Sequence, residues 1–255
     1  MRGKNLKVRL LIGAAIALFF VFKRCSQREE NPYTGRMQTI SMNANEEIAI
    51  GLQSAPQMAQ QHGGLHENTQ YQALVDNVGQ KLVNNSIAQE TPYKYEFHLL
   101  ADPNTINAFA LPGGQIFITY ALFSQLKNED QLAGVLGHEV GHVLGRHSAE
   151  RIAESEYWQG LTTAGSVGAD MGSVVSGIGQ NTLLTNGRDD ELESDELGVR
   201  FMLKAGYNPE EMIGVMEILK AAAGPNRVPE FQSTHPDPDN RIEKIREAIE
   251  KYKGL

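Results

Sequence analysis

Residues 138–142 read His-Glu-Val-Gly-His, and no other stretch limits the chain so strongly. On a helix, positions i and i+4 lie about 40° apart, so His138 and His142 project from one face and can share one metal ion. Glu139 falls one step round, placed to take a proton from a metal-bound water. The flanks limit the packing further. With His138 at zero on a helical wheel, Leu132, Leu136, Val140, Val143 and Leu144 fall at about 120° to 240°, a core-facing back. Gly134, Gly137, Gly141 and Gly145 form an adjacent stripe from about −100° to −20°. Four glycines cost a helix roughly 4 kcal/mol relative to alanine, so a backbone or a substrate is expected to approach that face closely.

An open catalytic zinc site needs a third protein ligand. About fifty residues on, RDDELESDELG places Glu191 and Asp195 at i and i+4 of a second helix, with Glu193 on the opposite side. Glu191 then completes a His138–His142–Glu191 zinc site, one ion per chain, and Asp195 fixes a histidine ligand by accepting its other ring N–H. Taken alone, the same acids read as a solvated helix start favoured by the helix dipole. Gly198, on the same face, suits close packing against the glycine stripe. His147 points away from the two motif histidines and reads as a core or helix-end residue; His62 and His66 read as surface and His98 as strand packing. His235, in the proline-rich stretch STHPDPDNRI, reads equally as a turn residue or as an imidazole presented to the site, either as an oxyanion partner or as a blocking fourth ligand.

Helical patterns are expected over 45–61, 69–87, 129–154, 188–205, 209–223 and 239–253. Asn128 is placed to cap the third of these, with Gln131 reaching back. Residues 93–100 alternate like a strand, and NAFALPGGQIFITY reads as two strands around Pro112–Gly114. The expected class is α+β, predominantly helical, with a small antiparallel sheet. Asn107, Ala108, Phe109 and Ala110 read either as an exposed edge strand to which an extended substrate adds, or as sheet interior. The small-residue stretch 160–180 is compatible with a tight helix pair, a mobile lid or a membrane-dipping segment.

The chain has 255 residues and a net charge of −8, from 31 acids against 23 bases, so no broad basic field is available for nucleic acid. Its single cysteine rules out an intrachain disulfide framework. Arg2, Lys4, Lys7 and Arg9 precede the apolar run LLIGAAIALFFVF, the pattern of a signal sequence or short anchor. The expected organisation is a signal or membrane anchor at 1–24, a linker at 25–40 and a zinc metallopeptidase domain at 41–255, held at the membrane by its N-terminal segment and lying outside the cytoplasm.

NAFALPGGQIFITYALF, GHEVGHVLGRHS, GRDDELESDELG and STHPDPDNRI, in that order, resemble the HtpX-like and CaaX-prenyl-endopeptidase-like zinc metallopeptidases, including their BepA- and LoiP-like periplasmic members. The resemblance implies a zincin-type domain with an active-site helix. It implies His138, His142 and Glu191 on zinc, Glu139 as general base and Asp195 behind the ligands. His235 and Arg241 would be transition-state or gating groups. The implied activity is endoproteolysis of unfolded or misassembled envelope and membrane-associated polypeptides. The alternative is a latent or chaperone-like binding protein whose zinc site is gated by a histidine switch. Ser194 stands where many members carry alanine.

Overall fold

The structure, a computed structural model, describes residues 2–222, 231, 235 and 240–254, with side chains for all of these except 2–5 and 181–186. Of the proline-rich stretch STHPDPDNRI, residues 233, 234 and 236–239 lie outside the described residues. In chain order the elements are α1 (Arg2–Ser26), β1 (Arg28–Glu30), β2 (Met37–Thr39), α2 (Ala44–Gln61), α3 (Thr69–Asn84), a 3-10 turn at Ile87–Glu90, β3 (Glu96–Leu100), β4 (Ala108–Ala110), β5 (Gln115–Thr119), α4 (Tyr120–Phe123), α5 (Glu129–Leu144), α6 (His147–Ala169), α7 (Gly172–Ala205), α8 (Glu211–Ala222) and α9 (Arg241–Tyr252). They divide into two units, one of residues 1–43 and 147–187, the other of 44–146 and 188–255.

In the first unit α1 runs antiparallel along α6. Arg24 reaches Glu154 at 2.5 Å, Lys23 reaches Glu156 at 2.8 Å, and Arg9 reaches Asp170 at 2.6 Å. Gly13 lets the backbones meet: a Cβ there would lie 2.8 Å from both the Ala164 carbonyl oxygen and the Gly168 Cα. The stretch 160–180 is therefore a tightly packed helical hairpin, broken at Asp170, whose φ is 57°. Residues 28–39 fold as the antiparallel hairpin β1–β2, and both Arg36 and Gln38 bond to Glu150 of α6. Among the described residues no helix is long and apolar enough to cross a membrane.

The second unit is built on a three-stranded sheet of order β3-β5-β4. β4 and β5 form the expected antiparallel hairpin, pairing Phe109 with Phe117, and Gly113 and Gly114 close its turn at positive φ. β3, however, runs parallel to β5, with Phe97 opposite Ile116, so the sheet is mixed. The chain returns from β3 through the β4 hairpin arm before laying β5 down beside it, a placement that local turn signals do not encode. The outer edge of β3 is occupied by side chains of α3: Gln72 bonds to both the Phe97 carbonyl and the Leu99 amide at 2.8 Å, and Gln80 bonds to the Tyr95 carbonyl. That leaves β4 as the edge strand. Phe97, Phe117, Phe201, Leu99, Leu132 and Leu136 fill the core between sheet, α3, α5 and the C-terminal part of α7.

The helical pattern over 129–154 is two helices, not one. Asn128 caps α5 by accepting from the Gln131 amide at 2.8 Å, and the Gln131 side chain reaches back to the Lys127 amide. The far end stops at Gly145, and Arg146 follows in the left-handed region at φ 57°. That conformation costs a non-glycine residue about 1 kcal/mol or more. It is held by burial of Arg146 on Glu47 of α2, with Nε at 2.9 Å and Nη2 at 2.7 Å, while the Tyr93 hydroxyl donates to the same oxygen at 3.2 Å. Burial, followed by the nearby Glu47 charge, pushes the Tyr93 hydroxyl far above its usual pKa, so it stays a donor.

Candidate metal centre

α5 presents its back to the core, Gly137 and Gly141 of its glycine stripe to α7, and Gly134 to Met212 of α8. A Cβ on Gly141 would lie 2.9 Å from the Ser194 carbonyl oxygen and 3.0 Å from its Cα; one on Gly198 would lie 3.2 Å from the His138 amide nitrogen. The close approach expected of the stripe is thus the second ligand-bearing helix itself. It brings the two i, i+4 pairs face to face.

His138 Nε2 and His142 Nε2 lie 3.0 Å apart. Glu191 places Oε2 3.2 Å from the first and Oε1 3.3 Å from the second. Ligand atoms on a tetrahedral ion at about 2.0–2.2 Å are themselves separated by roughly 3.3–3.6 Å, so this spacing is within a few tenths of an ångström of what one small divalent cation needs. All three residues are buried or nearly so, and Glu191 Oε2 accepts no hydrogen bond. His235 joins them: one ligand atom from each of the four residues lies within 4.8 Å of the others.

Behind the ligands, His138 Nδ1 lies 2.8 Å from Asp195 Oδ1, which makes Nδ1 the protonated nitrogen and leaves Nε2 for a metal. Arg241, at the start of α9, clasps Asp195 through Nε at 2.6 Å and Nη2 at 2.9 Å, and its Nη2 lies 3.3 Å from Glu191 Oε2. Burial opposes ionisation of Asp195, but Arg241 and His138 outweigh it and hold the carboxyl below the usual range. Burial alone would likewise lower the His138 pKa; Glu191 and Asp195 instead raise it to about 9 in the metal-free protein. Glu191 is held well below its ordinary value by the three imidazoles despite its burial.

Glu139 is fully buried, and neither carboxylate oxygen accepts a hydrogen bond. Burial pushes its pKa up, with His235 and His138 pulling it partly back. His235 stacks on Phe231 with centroids 4.4 Å apart. Its Nδ1 is 3.0 Å from Glu191 Oε1, and its Nε2 is 3.5 Å from Glu139 and 3.2 Å from the Ala108 carbonyl. The structure therefore brings together all seven residues singled out for the metal and its chemistry. The strand 107–110 divides. Asn107 and Thr119 exchange backbone and hydroxyl bonds, and Leu111 bonds to Gln115. By antiparallel alternation Asn107 and Phe109 spend their backbone groups on β5, while Ala108 and Ala110 turn theirs outward. The Phe109 ring is an anchor, stacked on Phe117 at 4.9 Å.

Of the remaining histidines, His98 packs on Phe117 and bonds to Gln115, and His147 is buried at the start of α6. His62 is buried rather than on the surface, because Asp102, 3.3 Å from its Nδ1, supplies a partner that the local sequence does not reveal. The Glu47–Arg146–Tyr93 cluster was equally hidden. Its one local sign is a basic residue directly after a helix-ending glycine.

Comparison with known proteins extends this geometry. The description "peptidase family M48" matches residues 69–249, which include every residue of the cluster. The chain belongs to peptidase family M48. It is 36% identical over 159 residues to the mitochondrial metalloendopeptidase OMA1 of Schizosaccharomyces pombe, covering 61% of this chain and 47% of that protein. It is 31% identical over 200 residues to the beta-barrel assembly-enhancing protease of Escherichia coli, covering 73% and 40%. With the corresponding Yersinia pestis protein the match is 28% over 237 residues, covering 87% and 48%. The chain thus spans less than half the length of these relatives. The family implies a catalytic metal, and His138, His142, Glu191 and His235 form a cluster that could hold one.

Proposed function

We propose that this chain is a zinc-dependent endopeptidase that cleaves unfolded or misassembled polypeptides of the cell envelope, attached to the membrane by its N-terminal segment. The observation that carries the reading is Glu139: a buried carboxylate with no hydrogen-bonded partner, directly beside the cluster of His138, His142, Glu191 and His235. A structural site would not keep such a group at its rim. Zinc, when bound, acidifies its water ligand and polarises a carbonyl. Glu139, its basicity raised by burial, accepts the proton of the attacking water and returns it to the departing amine. Arg241 and Asp195 hold His138 in the tautomer that leaves Nε2 free. The outward groups of Ala108 and Ala110 offer an extended substrate backbone bonds that carry little sequence preference, as suits unfolded chains.

A second reading rests on His235. It lies within ligand distance of Glu191 and on the Ala108 carbonyl, at once in the metal cluster and on the edge a substrate would pair with. In this reading the resting enzyme is latent, and His235 withdraws when substrate enters. The test is cleavage of unfolded casein by the full chain, with zinc quantified in wild type, Glu139→Gln and His235→Ala. Cleavage by wild type but not by Glu139→Gln, at about one zinc each, is expected. Faster cleavage by His235→Ala supports latency, and slower cleavage refutes it. Casein binding without cleavage by any of the three would leave a chaperone-like zinc protein.

A further inference from the structure

The first unit has a charge pattern that the peptidase reading does not use. α1 carries no charged residue from Leu10 to Phe22, α6 none from Tyr157 to Ala169, and the chain none from 172 to 187. Because α1 and α6 run antiparallel, these stretches lie side by side as one uncharged slab. Ion pairs close both ends. Arg9–Asp170 stands at one, Lys23–Glu156 and Arg24–Glu154 at the other. The Arg24 guanidinium also lies 4.6 Å over the Tyr157 ring.

Inside the slab the helices touch through small residues. Gly13 meets Ala164 and Gly168, Gly165 meets Val175, and Gly179 meets Trp158. Such contacts join helices in lipid, where no hydrophobic gain draws them together. On the outside, Leu11, Leu18, Phe19 and Phe22 of α1 are 62–74% exposed, and Val174 and Ile178 of α7 are each 54% exposed. Arg2, Lys4, Lys7 and Arg9 precede the slab with no acid among them, a charge complementary to anionic headgroups. Tyr157 and Trp158 sit beside the other belt, where membrane helices concentrate aromatic residues. The slab rises only about 20 Å, against a hydrocarbon core of about 30 Å.

We infer that α1, α6 and the first part of α7 enter an anionic bilayer together, as a three-helix wedge rather than as one threading helix. This rests on the membrane attachment proposed above and adds α6 and α7 to it. Asp170 does not oppose it, because it is paired with Arg9 at the slab's end.

The single tryptophan, Trp158, makes the test direct. The full chain is mixed with phosphatidylcholine–phosphatidylglycerol vesicles, with and without bromines on the acyl chains. The expected result is co-flotation, with Trp158 fluorescence falling at least twofold in brominated vesicles. Val174→Asp/Ile178→Asp should float at least tenfold less well while cleaving casein in solution like wild type. Flotation with an unquenched Trp158 and an indifferent double variant would overturn the wedge and leave α1 as a lone anchor. Absence of flotation would overturn both. Casein cleavage, read separately, reports on the peptidase reading whichever way the vesicles behave.

Discussion

Gly141 is where the packing of the metal centre is most exposed to a one-atom change. Alanine there adds a Cβ 2.9 Å from the Ser194 carbonyl oxygen and 3.0 Å from its Cα, both backbone atoms. Favourable contacts lie near 3.5–4.0 Å, so α5 and α7 have to part by roughly half an ångström. Alanine favours the helix by about 1 kcal/mol, while overpacking costs about 1–3 kcal/mol. Gly141→Ala should therefore unfold no more than about 2 kcal/mol more easily than wild type. The larger effect is on the metal. Ser194 lies between Glu191 and Asp195, so the separation draws the third ligand and the His138 partner off the histidines together. Disturbed supporting contacts of this kind cost about 10–100-fold in metal affinity. Competition with a chelator measures the affinity and thermal unfolding the stability. Gly177→Ala is the control, because a Cβ there meets nothing within 4 Å; it should leave metal binding unchanged. If Gly141→Ala held zinc as tightly as wild type, the claim that the glycine stripe sets the ligand geometry would fail.

Asp195→Asn should weaken zinc binding about 10–100-fold while leaving the bound metal near Glu139, so a chelator titration shifts before activity at saturating zinc is lost. In the metal-free protein His138 is held protonated, with a pKa raised to about 9. Binding at pH 7.5 must then expel that proton, and binding above the raised pKa need not. Calorimetry in buffers of different ionisation enthalpy should show about one proton released at pH 7.5, declining as pH rises through 9; no release at pH 7.5 would refute the assignment. Glu47→Ala removes the carboxylate that binds the buried Arg146 guanidinium and should cost about 3–5 kcal/mol in chemical denaturation. Glu47→Gln, which keeps a hydrogen-bond acceptor, should cost less.

Much of the metal centre was legible because its information is local. His138 with His142, and Glu191 with Asp195, are i, i+4 pairs, and a helix turns such spacing into a shared face without reference to the rest of the chain. The glycines announced a close approach and only its partner, Ser194 with Gly198, had to be seen. What was not legible depends on partners far along the chain. α5 ends at Gly145 because Arg146 turns into the left-handed region, and the residue that holds it there is Glu47, on another helix. The parallel pairing of β3 with β5 is decided by which edge α3 covers with Gln72 and Gln80. His62 is buried beside Asp102, forty residues along the chain, and against Phe109.

The chain between His142 and Glu191 is the whole of α6 and the first half of α7. A metal ion bound to both residues is therefore also a removable cross-link that closes a loop of about fifty residues. A permanent link across a loop of that size removes chain entropy worth about 4 kcal/mol from the unfolded state. Such an ion would act as a clasp as well as a reagent: its loss would inactivate the site and, in the same event, untie both ends of the hairpin between His142 and Glu191.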